Sequence, residues 1–366
     1  MNNHKVKTYL LLVLMLCLFH IAKAQTSFNI KTVTGFPSEE AGYGLGVSAC
    51  YAGMIGNRII MAGGCNFPET GKKKYYAGIY AAKVSDKSLD WKLIGYLPEP
   101  AAYGGVVSLG DSLILIGGNN NEHSLKTVLS IRLNKKKDKA IIKLLPSLPY
   151  TVDNMAVTQL TNHIYVFGGN QDGKASASLL HWDASKKQDW EYLSEIPECP
   201  RVQPVCVADK GKLYIWGGFF ANGLQSTVAT NGYSYDIASK VWKQLEAPKD
   251  TKGKELTLTG ATAILTKQSI LCLGGVNKDI FWDAISGSYQ LVKKEDYLQK
   301  DIDWYQFNGN LLFFNPIKEK WNAYPLYDKR LSRAGAQLVK WGNKYFYIGG
   351  ELKPGVRTPE ILLIFP

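Results

Sequence analysis

Glu351 and Arg357 flank the segment Leu352-Lys353-Pro354-Gly355-Val356. A Pro-Gly pair bends a chain back on itself, because proline presets φ at the first turn position and glycine tolerates a positive φ at the second. The bend brings a carboxylate beside a guanidinium. On a plain surface such a pair would only steady a turn, contributing about 0–1 kcal/mol. Beside a cavity it is a minimal catalytic set, in which the carboxylate moves a proton and the guanidinium holds an anion. Arg201 and Arg333 are further candidates for the same anion, with loop anchoring as the alternative role. The amides of Asn66, Asn119, Asn170 and Asn277 complete the candidate set, since amides both donate and accept and so suit a polyhydroxylated ligand. Asparagine also favours turns, so a binding role requires that these loops share one face.

The chain supplies such a face through repetition. A short apolar strand running into a glycine doublet occurs six times, ending at Gly63-Gly64, Gly117-Gly118, Gly168-Gly169, Gly217-Gly218, Gly274-Gly275 and Gly349-Gly350. The doublets are 54, 51, 49, 57 and 75 residues apart. A period of about 50 residues with this strand ending is the signature of kelch repeats, one propeller blade per repeat. The expected fold is all-β, a six-bladed kelch-type β-propeller spanning residues 25–366 as one domain. Single blades cannot bury their own faces. The loop after each doublet and the loop leading into each first strand then open on one face around a central funnel, and Glu351 directly follows a doublet. Only a third strand, residues 360–365, fits after Gly350, so the alternating stretch Phe28–Val33 is expected to supply the outer strand of the last blade. Trp91, Trp190, Trp242 and Trp321 read as outer-strand aromatics packed between blades. The fifth repeat carries an insert at about 276–310, partly helical, that is either a surface excursion or a cap over the funnel.

Composition narrows the partners. Lys5 and Lys7, the apolar run from Tyr9 to Ile21, and Ala22-Lys23-Ala24 read as a secretory signal peptide over residues 1–24, implying a periplasmic location and no membrane attachment after its removal. The formal charge of +12 falls to +9 without Lys5, Lys7 and Lys23. Its lysines are scattered, and the runs Lys72–Lys74 and Lys135–Lys137 read as solvated strands and turns. No nucleic-acid motif accompanies them, so nucleic acid is not an expected partner. Cys50, Cys65, Cys199, Cys206 and Cys272 are too few for a disulfide scaffold and lack zinc spacing. Cys199 and Cys206 could meet across a turn, with buried free thiols the other outcome. Three dispersed histidines, His123, His163 and His181, leave little material for a metal site or a Ser-His-Asp triad.

The run Gly350-Glu351-Leu352-Lys353-Pro354-Gly355-Val356-Arg357-Thr358, with Gly274–Phe281, Thr259-Gly260-Ala261, Ala334-Gly335-Ala336 and the fifth-repeat insert, resembles the cyclically permuted mutarotases, the kelch-propeller family that contains the N-acetylneuraminate epimerases. The likeness is strongest from Tyr233 onward. The blades begin and end at a different point of the ring, and the loop Cys65-Asn66-Phe67-Pro68 departs from the family pattern. The resemblance implies an isomerase that interconverts the α and β anomers of a small anionic sugar, N-acetylneuraminate (sialic acid), without metal or redox cofactor. It puts the catalytic acid/base on Glu351 and the substrate-binding arginine on Arg357. The alternative is a non-catalytic kelch module that binds a glycan or a protein, because fold does not determine function.

Overall fold

The structure, a computed structural model, describes residues 28–186 and 188–366. The expected leader at residues 1–24 lies outside the described residues. Six antiparallel blade sheets follow one another along the chain, each built on four strands, with a short fifth strand, Thr227–Val228, added to the fourth sheet. Their innermost strands are Tyr51–Ile55, Gly105–Leu109, Ala156–Leu160, Val202–Asp209, Thr262–Leu265 and Gln337–Trp341. Each packs beside the next, and the last packs beside the first.

The second strand of every blade explains this stacking. In blade 1, Ile59 and Met61 face a cluster shared with Phe346 and Ile348 of blade 6, while Ile60 and Ala62 face Leu113 and Leu115 of blade 2. The same division recurs around the ring, giving an apolar cluster between every adjacent pair of blades. Side chains alternate faces along a strand, so a strand sandwiched between two neighbours must be apolar at every position. That is why the second strands read as unbroken apolar runs.

The glycine doublets are geometric necessities. Gly349 has φ +58 and Gly350 φ +103, both in the region L side chains rarely adopt. A Cβ on Gly349 would stand 2.4 Å from the Val47 carbonyl oxygen of blade 1. The space is used instead by backbone, the Gly350 N–H donating to that oxygen at 2.9 Å. Equivalent bonds run from Gly64 to Ala101, Gly118 to Val152, Gly169 to Arg201 and Gly275 to Arg333.

The N-terminal segment completes the last blade, as the alternating stretch Phe28–Val33 predicts. Strand Asn29–Val33 pairs antiparallel with Ile361–Phe365, from Asn29↔Phe365 to Val33↔Ile361, and is the outer strand of blade 6. The outer tryptophans tie blades together through their indole N–H groups. Trp91 donates to the Gly35 carbonyl, Trp190 to Pro146, Trp242 to the Ser194 hydroxyl and Trp321 to Glu246, each in the preceding blade or its exit loop. The fifth-repeat insert contains helices Lys278–Ile285 and Lys294–Tyr297 and a 3-10 turn Ile302–Tyr305. Its Ile280, Tyr305 and Phe307 pack with Val276 and Ala334, beside the strand that carries Glu351. Cys199 and Cys206 are both free thiols.

Candidate active site

One ring of backbone hydrogen bonds defines the mouth of the central channel. Ala49 donates to Gly335, Gly335 to Gly260, Gly260 to Gln203, Gln203 to Asn154, Asn154 to Tyr103, and Tyr103 back to Ala49, at 2.7–3.0 Å. All six residues have φ between +54 and +69. Each lies fourteen positions before the first glycine of its own doublet. Glycine adopts this conformation freely, whereas Ala49, Tyr103 and Gln203 hold it at a cost of roughly 1–3 kcal/mol each, offset by the ring. Inside the ring runs a channel of about 620 Å³ lined by all six innermost strands. Glu351 lines its mouth together with Ser48, Tyr103, Asn154 and Gln203.

Glu351 and Arg357 are cross-strand partners in the short hairpin formed by Glu351–Lys353 and Val356–Arg357. Directly opposed residues on antiparallel strands hold their Cβ atoms about 5 Å apart, so the two side chains meet. Arg357 Nη2 lies 3.1 Å from Glu351 Oε2, with the side chains 4% and 22% exposed. The Glu351 backbone exchanges hydrogen bonds with Ala334 at 2.7 and 2.9 Å, which presses the hairpin against the mouth. Arg357 Nε donates to Ser48 Oγ at 2.6 Å, and its guanidinium lies 5.2 Å from the Phe67 ring centre. Its Nη1 is buried and, among the described residues, has no hydrogen-bond partner.

Burial raises the Glu351 carboxyl above its ordinary value, and the nearby Arg357 and Lys73 charges only partly oppose it. Burial also works against the Arg357 charge, but Glu351 and Tyr103 outweigh it and hold the guanidinium above its usual value. The site therefore pairs a permanent cation with a carboxyl group that accepts a proton readily. Among the described residues, no three or more His, Cys, Asp or Glu side chains gather in a metal-binding cluster.

The remaining candidates separate into two groups. Asn170 connects to the mouth through Asp153, its amide donating to Asp153 Oδ1 at 2.9 Å. Asn154 donates to the same oxygen at 2.7 Å and accepts from Gln203 at 2.9 Å. Ser124 Oγ donates to Asp153 Oδ2. Asn119 occupies the equivalent position in blade 2, and its buried Oδ1 has no partner.

Four candidates are engaged elsewhere. Arg201 is fully buried and donates to the Gly217 and Asn231 carbonyls, to Asn231 Oδ1 and to Glu198. Arg333 is equally buried and donates to the Arg330, Gly349 and Glu360 carbonyls and to Glu360 Oε2. Both arginines therefore brace a doublet carbonyl, and neither lines the channel. Asn66 is buried, donating to the Gly42 and Gly46 carbonyls and accepting from Tyr76. Asn277 caps helix Lys278–Ile285 by accepting from Asp279 and Ile280 N–H.

Several groups at the mouth were not in the candidate set: Ser48, Phe67, Lys73, Tyr103, Asp153, Asn154 and Gln203. A signal for three of them exists. Counting fourteen residues back from each doublet finds Tyr103, Asn154 and Gln203. The expectation of a solvated run at Lys72–Lys74 fails at its middle residue, because Lys73 turns inward over aromatic rings.

The sequence profile of the N-acetylneuraminate epimerase family matches residues 145–364, which include both Glu351 and Arg357. Among curated relatives, an N-acetylneuraminate epimerase of Yersinia pestis (strain Pestoides F) is 31% identical over 231 residues, covering 59% of this chain and 56% of the relative. One from Haemophilus influenzae (strain PittEE) is 28% identical over 227 residues, covering 59% and 57%. N-acetylneuraminate epimerase 1 of Escherichia coli O6:H1 is 27% identical over 218 residues, covering 53% and 55%. The chain thus spans a little over half the length of the relatives it matches. Matched by the profile over more than half of its residues, Glu351 and Arg357 among them, the chain belongs to the N-acetylneuraminate epimerase family.

Proposed function

We propose that the protein is a mutarotase that speeds interconversion of the α and β anomers of N-acetylneuraminate. The observation that carries this is the Glu351–Arg357 pair at the channel mouth, with Arg357 Nη1 buried and unpartnered. A buried donor without an acceptor is costly, and a ligand carboxylate arriving at Nη1 would satisfy it with a charge-assisted bond. The relatives' name supports the same substrate class.

In the reaction, the C1 carboxylate docks on Arg357. Glu351 takes the proton of the anomeric C2 hydroxyl. The C2–O6 bond breaks, its electron pair passes to O6, and O6 takes from Glu351 the proton that the carboxylate removed, as C2 becomes a ketone. Rotation about C2–C3 turns the C1–C2 unit. O6 then returns its proton to Glu351 as it attacks the other face of C2, and the C2 oxygen, negative after the attack, takes that proton from Glu351. No atom is gained or lost. The raised Glu351 carboxyl suits this cycle, since burial makes the carboxylate a stronger base and moves the group toward the working pH, where both protonation states are accessible.

The test is anomer exchange of N-acetylneuraminate followed by NMR line exchange in the presence and absence of protein. Acceleration at micromolar protein, saturable in sugar, is expected. Binding without acceleration would refute the mutarotase proposal and leave a glycan-binding module.

A further inference from the structure

We propose that Lys73 is a specificity-determining residue that completes a two-cation seat for the substrate carboxylate opposite Arg357. This rests on the function proposed above. Lys73 lies on strand Lys72–Tyr75, which pairs with strand Cys65–Glu69. The register slips between Asn66 and Glu69, where Pro68 has no N–H to give the ladder. Such irregularities re-aim side chains. Here the same hairpin delivers two groups to the mouth: Phe67, whose ring lies over the Arg357 guanidinium, and Lys73.

The lysine's surroundings distinguish it from its neighbours. Lys72 pairs with Glu69 at 2.6 Å, and Lys74 donates to the Ala41 carbonyl at 2.7 Å. Among the described residues, the Lys73 ammonium meets no hydrogen-bond acceptor or carboxylate partner. It rests instead on two ring faces, 4.3 Å from the centre of Tyr103 and 4.8 Å from that of Tyr75. Tyr103 is itself a member of the hydrogen-bonded ring at the channel mouth. The rings hold the ammonium in place and leave its donors unspent.

The electrostatics agree. Burial lowers the Lys73 amine below its usual value, and Arg357 pushes it the same way, while Cys65, Glu351 and Asp153 act in the opposite direction. Neither carboxylate is free for it. Glu351 is paired with Arg357, and Asp153 accepts from Ser124, Asn154 and Asn170. Two cations with unspent donors therefore share one mouth with two carboxylates whose oxygens are already engaged, Glu351 by Arg357 and Asp153 by hydroxyl and amide donors. A further carboxylate, brought by the ligand, relieves the repulsion between the two cations and satisfies both. A neutral sugar does neither. Lys73 and Phe67 lie outside the residues matched by the family profile, so this half of the seat belongs to the chain's own first blade.

The test compares N-acetylneuraminate with its methyl ester, which keeps the ring and removes the charge. Exchange rates by NMR and dissociation constants by calorimetry are measured for wild type, Lys73→Met and Lys73→Arg, with thermal melting to check folding. Lys73→Met should weaken the acid about 10-fold or more, with the loss falling on KM rather than kcat. The ester should change less than about threefold, and Lys73→Arg should recover part of the loss for the acid. Equal losses for acid and ester, or an unchanged acid affinity, would overturn the proposal. If wild type binds the acid but does not accelerate exchange, the mutarotase reading fails while the calorimetric acid-to-ester ratio still decides the seat. Failure of wild type to prefer the acid over the ester overturns the seat itself.

Discussion

Replacing Glu351 by glutamine removes the proposed base while preserving shape. Glutamine keeps an oxygen that can accept from Arg357 Nη2, so the hairpin contact at 3.1 Å survives without its charge. Positioned acid–base groups typically supply 10²–10⁴-fold. Glu351→Gln should therefore slow enzyme-dependent anomer exchange by about that factor, equivalent to roughly 3–5 kcal/mol of barrier. Sugar binding should persist, because Arg357 and the Asp153–Asn154–Gln203 network remain. Stability should move the other way. The Glu351 carboxyl is raised by burial in the folded state, so its ionised form opposes folding at neutral pH. A raised carboxyl binds its proton more tightly folded than unfolded, and this penalty disappears as pH falls through the folded value. Glu351→Gln should thus be at least as stable as wild type at pH 7, and the gap should close on acidification. For the same reason, the acid limb of the wild-type rate profile should lie above the ordinary glutamate value of 4.5. The assay is NMR exchange from pH 4 to pH 8 alongside urea unfolding. Wild-type exchange in a folded Glu351→Gln protein would refute the assignment of the base.

Further expectations concern the scaffold. Gly349→Ala places a Cβ 2.4 Å from the Val47 oxygen at φ +58 and should cost about 2–5 kcal/mol in urea unfolding. Gly355→Ala meets nothing within 4 Å and should cost only about 1–2 kcal/mol for its φ of +84. Arg333→Met strands a doublet carbonyl and Glu360, and should cost about 3 kcal/mol, the lower end for a broken buried pair because Glu360 is partly exposed. The folded fraction of that variant should keep its sugar affinity, and a selective loss of acid binding would restore Arg333 as a ligand residue. Asn277→Ala removes the helix cap and should cost about 1 kcal/mol, read by thermal melting, with exchange rates retained.

What could be read from the chain was local or periodic. The six doublets, the apolar second strands and the alternating N-terminal segment each encode a strand environment within a few residues, and the ring follows from repeating it. The Glu351–Arg357 pairing was legible for the same reason, since a Pro-Gly turn joins the two residues directly. Tertiary structure alone decided which other groups join them. Ser48 meets Arg357 across 309 positions of sequence, and Lys73 reaches the mouth because a slipped hairpin in blade 1 turns it over Tyr103. Tertiary structure also took Arg201, Arg333, Asn66 and Asn277 away from the channel. A polar side chain's role depends on which acceptors surround it, and in a closed ring those acceptors arrive from neighbouring blades and loops.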